Sequence, residues 1–280
     1  MIIDIHTHVF PDRIAAVAVD KLKKASRTTP FSDGTRSGLL DSMRRAGIGR
    51  SVVLPVVTNP VKASSINDVS IAQNGRDGLI WFGGIHPDTP DAARELARIA
   101  AEGLKGVKIH PVYQGVDIDD PRFLRILTKC GELGLTVLMH AGDDIGFPWE
   151  VRCAPRMTAR ALAQAGPVRL ICAHMGGWRN WEEVTDCLYP TSAMLDTAFC
   201  LGELSPLTPA DYPGDERHMM KVDTFSSLVR DFGAERVLFG SDSPWDDQGA
   251  AVRRIMDAPL TPAQRDAILG ANAQRLLGCE

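Results

Sequence analysis

The sequence lacks any apolar run that could cross a bilayer; "SVVLPVV" at residues 51–57 is only strand-sized. It also lacks a basic surplus. Lys and Arg number 31 against 35 Asp and Glu, and a net charge of −4 gives no footprint for nucleic acid or an anionic membrane. The six cysteines form no C-x-x-C pair, which excludes a zinc knuckle and a disulfide framework and leaves buried or half-buried thiols. No basic, hydrophobic and small-residue leader precedes "MIIDIHTHV", so a cytoplasmic location is expected. A Gly-rich phosphate loop is missing after this first run, where "HTHVFPD" stands instead, and that argues against an open nucleotide-binding sheet. Repeats, low-complexity tracts and linker-like breaks are absent as well, so residues 1–280 are expected to form one domain.

What is present is an ordinary globular composition, 44% apolar and 24% charged. Short apolar runs alternate with amphipathic stretches: "MIIDIHTHV", "RSVVLPVV", "GLIWFGGIHP", "GVKIHP", "TVLMHAG", "VRLICAHMGG", "SAMLDTAF" and "RVLFGSDSP", each followed by helical sequence. Strand runs that alternate with helices indicate parallel βα units. Eight of them in this length predict an α/β fold, a (β/α)8 TIM barrel. Pro121 suits a first helical turn and Gly134 the cap of the same helix. The one long connection, Cys200–Lys221, carries Pro, Gly and mixed charge and reads as a functional loop.

The histidines cluster by position. His6, His8, His86, His110, His140 and His174 fall at the carboxyl ends of strand runs, and only His218 of the seven lies elsewhere. In a barrel those ends carry the active site. His6 and His8 sit at i and i+2 and point to one face of a strand. Two neutral imidazoles there can clamp a divalent metal, or can be polar side chains satisfied by backbone and water. The last run adds Asp242, a carboxylate suited to ligation or to general base work. An Asp in this place can also cap the next helix, but Ser243 and Asp246 are better placed for that.

Histidines from the first, fifth and sixth runs with an Asp from the eighth form a recognisable set. With "DIHTHVFPD", "GVKIHP", "VLMHAG", "CAHMGG", "LDTA", "LFGSDSPW" and the terminal "NAQRLLG", the whole chain resembles the amidohydrolase superfamily, more narrowly its amidohydrolase-related (amidohydrolase 2) branch. The resemblance implies that His6, His8, His140 and Asp242 hold one divalent metal, with His174 as a further ligand or an acid/base. Zn2+ suits three imidazoles and a carboxylate, and Mn2+ or Fe2+ fit a similar shell. Two-metal members carry a carboxylated Lys or a Glu at the fourth strand. Lys108 stands here, and an ordinary lysine contacting a substrate anion is expected rather than a bridge to a second metal. His110 and His86 are expected near the substrate or behind the ligands. Arg179, Arg152 and Arg156 are candidates for a substrate carboxylate, or solvated helix-start charges. Trp149, Trp178, Trp181 and Trp245 follow strand ends, so some should wall a pocket.

The expected function is hydrolysis of a small amide, lactone or cyclic ester by metal-activated water, with Asp242 and His174 catalytic and Lys108, His110, Arg179, Trp178 and Trp245 binding substrate. Non-oxidative decarboxylation of an aromatic or unsaturated acid is the alternative. The partner is a small molecule, with no nucleic acid and no membrane; a homo-oligomer is compatible with the sequence. A barrel that only binds a ligand is disfavoured by the full ligand set.

Overall fold

The computed structural model describes residues 1–279. Its strands are β1 (Ile2–Thr7), β2 (Ile48–Val53), β3 (Leu79–Trp81), β4 (Gly83–Gly84), β5 (Gly106–Ile109), β6 (Thr136–Met139), β7 (Arg169–Cys172), β8 (Met194–Asp196) and β9 (Val237–Leu238). The helices are α1 (Asp12–Ser26), α2 (Arg36–Ala46), α3 (Ala63–Gln73), α4 (Ala92–Ala101), α5 (Pro111–Gln114), α6 (Pro121–Leu133), α7 (Pro155–Ala165), α8 (Val184–Leu188), α9 (Val222–Phe232), α10 (Gln248–Asp257), α11 (Pro262–Asp266) and α12 (Asn272–Leu277). Strand and helix alternate as the apolar periodicity predicts. No helix among the described residues is long and apolar enough to cross a membrane. None of the six cysteines is joined in a disulfide among the described residues, and four are buried.

The chain divides into two compact units. The first contains Met1–Val52, Ile145–Pro148 and the chain from Asp196 onward. In it β1 lies beside β2. On its other side β1 meets the segment after β9, where Ile5 N donates to Phe239 O at 2.8 Å. The core is built on Ile3, Ile5, Val52, Phe225, Phe239 and Ile268, all fully buried. Gly270, in a π-helical turn at Ala267–Ala271, backs onto the start of β1. A Cβ there would stand 2.1 Å from Met1 O, so only glycine permits the approach.

The second unit contains Val53–Asp144 and Trp149–Leu195. Its sheet runs β4-β5-β6-β7-β8, and the strands pair in parallel. Every residue of β5 and β6 is buried, as parallel strands covered on both faces require, and Lys108 is the one charged exception. Ile109 pairs with Met139 and Met139 with Cys172, so three strands end level. Helix α6 has the expected ends. Asp120 caps it by accepting from Arg122 N, Pro121 opens it, and Gly134 closes it at φ 67°.

Three local expectations are corrected. The third apolar run splits at Phe82, because Asn67 takes both backbone groups of Gly84 with its side-chain amide (2.8 and 3.1 Å). The stretch expected as one helix after "CAHMGG" has only a 3-10 turn at Trp181–Glu183 before α8, since Arg179 holds a left-handed φ of 59°. The cap of α10 is Asp247, which accepts from Ala250 N at 2.7 Å, rather than Ser243 or Asp246. Asp246 turns instead to Arg254, and Ser243 N donates to Ser241 Oγ.

Candidate metal centre and active-site residues

In the first unit the end of β1 and the turn after β9 bring together His6, His8 and Asp242. One ligand atom from each lies within 4.8 Å of the others. Asp242 Oδ1 stands 3.4 Å from His6 Nε2 and 3.2 Å from His8 Nε2. The turn is locked to the strand, for Asp242 N donates to His6 O at 2.8 Å and His8 N donates to Ser243 O at 2.7 Å. Asp242 itself holds φ 67°, a left-handed conformation sustained only where its surroundings over-determine it.

A residue that the sequence reading passed over orients this group. Asp196, at the end of β8, is fully buried, and its Oδ2 lies 2.8 Å from His6 Nδ1. A carboxylate only accepts, so Nδ1 carries the hydrogen and Nε2 keeps its lone pair. That lone pair faces the Asp242 oxygen. Two electron-pair donors in that relation need positive charge between them, a proton or a metal ion. Two imidazoles and a carboxylate suit a divalent cation of the zinc, manganese or iron type. Beneath them lies Asp4, also fully buried, whose carboxyl is pushed up to about 6 by burial against the pull of its hydrogen bonds.

The second unit gathers a different set at the level ends of its strands. The His110 and His140 rings stack at 4.2 Å, and Tyr113 stacks on the other side of His110 at 3.8 Å. Tyr113 N donates to His110 Nδ1 at 3.4 Å, so His110 Nε2 carries its hydrogen and points to Asp144 Oδ2, 3.5 Å away. His140 Nε2 lies 3.1 Å from the Asp143 carbonyl, which only accepts, and His140 Nδ1 lies 3.1 Å from His174 Nε2. The hydrogen between the two rings therefore sits on His174. His110, His140 and Asp144 also offer ligand atoms within 4.8 Å of one another. There, however, the nitrogens nearest Asp144 are occupied by hydrogen, and ligation requires its displacement. His174 adopts φ 58° and Met175 φ 53°, which like Asp242 are left-handed without being glycine. Gly142, at φ 84°, lies so close to Trp178 that a Cβ would stand 2.2 Å from its backbone nitrogen. Burial raises the Asp143 carboxyl, while Asn180 and the nearby Arg179 oppose the shift.

The remaining expected residues fall as follows. Lys108 is buried within β5, on the face it shares with His110. Trp178 is buried with the Arg179 guanidinium over its ring at 4.7 Å. Trp181 Nε1 donates to His174 O. Trp245 is half-buried in the first unit, its N donating to Asp242 O at 2.9 Å. Trp149 is 92% exposed, so it is not among those of the four Trp that could wall a pocket. Arg152 pairs with Asp117 and Glu150, and Arg156 with Glu183, so both read as surface charges. His86 Nδ1 accepts from Asp88 N, burial lowers its pKa, and it joins no metal-capable group among the described residues. His218 pairs with Glu203 on the surface. Asp196 was open to discovery in "LDTA", a carboxylate at a strand's end like Asp242; Asp144 and Tyr113 carried no such signal.

Known proteins are similar to this chain in sequence and fold. A curated relative, 2-amino-3-carboxymuconate-6-semialdehyde decarboxylase of Dictyostelium discoideum, is 23% identical over 214 residues, or 69% of this chain. The match spans 58% of that relative's length, so the chain covers little more than half of it. Among solved structures, 5-carboxyvanillate decarboxylase from Sphingomonas paucimobilis superposes with a TM-score of 0.71 at 16% identity, covering 99% of this chain and 98% of that one. A putative 2-pyrone-4,6-dicarboxylic acid hydrolase from Pseudomonas putida superposes with a TM-score of 0.64 at 20% identity, covering 99% and 97%. These likenesses establish the α/β TIM-barrel fold. The amidohydrolase family model matches residues 3–279, and the chain belongs to the amidohydrolase family.

Proposed function

We propose that the protein is a metal-dependent, non-oxidative decarboxylase of a small aromatic or unsaturated carboxylic acid. This reverses the order expected from sequence, where hydrolysis stood first. The support is the decarboxylase activity named for the curated relative and for a structure of the same fold, together with a metal-capable group of two histidines and an aspartate. The carrying observation is the His6 Nε2 lone pair, set by Asp196 and aimed at Asp242 Oδ1.

His6, His8 and Asp242 would hold the cation, a single Zn2+, Mn2+ or Fe2+, which supplies positive charge to orient the acid and polarise its oxygens. His140 as a further ligand rests on the family resemblance. His174 holds a proton at Nε2 and is the acid of the reaction. As the bond to the carboxyl carbon breaks, its electron pair remains on the ring or alkene carbon. The His174 proton then forms the new C–H bond while CO2 departs, and solvent restores the proton. Lys108, His110 and Arg179 are assigned to substrate anion and polar groups, and Trp178 and Trp245 to its apolar face.

The test is a panel of aromatic and unsaturated carboxylic acids alongside carboxylated cyclic esters. CO2 release without incorporation of labelled water oxygen supports the reading. Label uptake into a ring-opened product without CO2 would establish hydrolysis instead.

A further inference from the structure

We propose that Asp4 is a positioning residue for the metal group, and that its buried carboxylate holds Asp242 in the left-handed conformation that presents its oxygen to His6 and His8. The inference rests on the metal reading above.

Asp4 and His6 share one face of β1. Asp4 Oδ1 accepts from His6 N at 3.1 Å and from Ser241 N at 3.0 Å. Its Oδ2 accepts from Ser241 Oγ at 2.5 Å and from Gln248 Nε2 at 2.7 Å. Ser241 Oγ accepts in turn from Ser243 N at 3.0 Å. The residues on both sides of Asp242 are thus fixed to one carboxylate, directly at Ser241 and through one hydroxyl at Ser243. The same carboxylate fixes His6 from below and the first turn of α10 from behind. Asp242 is left with little backbone freedom, and its φ of 67° is the outcome.

The hub is dispensable for strand pairing. β1 is already joined to its neighbour through Ile5 N, His6 O and His8 N. A fully buried anion is a poor choice for packing alone, since an apolar side chain would occupy that layer without desolvating a charge. Four converging donors make sense if the gain is direction: a strand end and a turn held in one relation so that three ligand atoms meet.

The test uses Co2+ alone as probe. Its dissociation constant is measured by chelator competition, its visible absorption is recorded, and the unfolding temperature of the metal-free protein is followed. Asp4→Ala should weaken Co2+ binding about tenfold to a hundredfold, the range for residues behind metal ligands, and change the absorption band in protein that is fully folded. Ser241→Ala removes both the bond its hydroxyl donates to Asp4 and the one it accepts from Ser243 N, and should weaken binding at least about threefold to tenfold, the worth of a single hydrogen bond. It decides alone where Asp4→Ala does not fold. Wild-type affinity and spectrum in folded Ser241→Ala, or in folded Asp4→Ala, with only the unfolding temperature lowered, would make Asp4 a packing element and overturn the proposal. His8→Ala is the separate control: if it keeps wild-type Co2+ affinity, the metal reading fails rather than the role of Asp4.

Discussion

Replacing Asp196 with Asn changes one atom and puts the orientation of His6 to a direct test. In the native protein Asp196 accepts twice, from His6 Nδ1 at 2.8 Å and from Ala198 N at 3.0 Å. Asn has one accepting oxygen. If it serves Ala198, the amide hydrogens face His6 Nδ1, which must become the acceptor, and the hydrogen moves to Nε2. The ring then presents N–H where a lone pair is needed. If the oxygen serves His6 instead, Ala198 N loses its partner in a fully buried place. In the first case a charge-assisted hydrogen bond becomes a neutral one, and in the second a buried N–H loses its side-chain acceptor; either costs about 1–3 kcal/mol of stability. Metal affinity should fall tenfold to a hundredfold, or about 1.4–2.7 kcal/mol. Chelator competition on folded protein measures the second quantity and denaturant unfolding of the metal-free protein the first. Unchanged metal affinity alongside lost stability would refute the reasoning, since it would show that the orientation of His6 does not matter to the cation.

Elemental analysis should find close to one equivalent of divalent metal per chain, lost in His8→Ala without loss of fold; two equivalents lost together in Lys108→Ala would overturn the single-metal choice. Metal-saturated His174→Gln should lose at least about a hundredfold in activity, on the scale of general acid–base catalysis, and near-normal turnover would remove His174 as the acid and shift the proton chemistry to Asp242. The Asp4 carboxyl is raised from 3.8 to about 6, so only between those values does the folded chain keep a proton that the unfolded chain releases. Stability of the metal-free protein should therefore fall as pH rises through that window, by about 3 kcal/mol at 1.36 kcal/mol per unit; Asp4→Asn should flatten the fall, and an equal slope in both proteins would contradict it. Shortening the loop within residues 201–221 should alter substrate binding more than melting temperature; a large loss of stability with unchanged kinetics would make it structural packing.

Much of the site was legible because its residues sit where periodicity changes. His6, His8, His110 and His140 mark the points at which apolar runs give way to loops; the strand period sets His6 beside His8, and the pairing of β5 with β6 sets His110 beside His140. Asp242 stood out for the same reason. Asp4 did not, because inside an apolar run a lone carboxylate shows nothing of the four donors that meet it. Asp196 and Asp247 show the same ambiguity in both directions: a short acidic side chain after a strand can orient a ring or cap a helix, and only the direction of its neighbours' N–H groups decides. The split at Phe82 depends on Asn67, a residue outside the strand altogether. Trp149 shows that closeness in sequence to a strand end does not place a side chain inward when a loop carries it outward. The order of hydrolysis and decarboxylation had no residue-level signal, since both chemistries use the same ligands and acids.

The level ends of β5, β6 and β7 bear on how the protein tolerates change. Ile109, Met139 and Cys172 lie in register, so the histidines that follow the first two strands leave the sheet side by side. Substitution at those tips costs the stacking and hydrogen bonds of the ring replaced but leaves the backbone ladder below in place. Insertion or deletion is a different matter. Because side chains alternate along a strand, one residue gained or lost within Thr136–Met139 would turn His140 to the opposite face and part it from His110 and His174. The lineage of this chain can thus vary more readily in letters at the rim than in count beneath it.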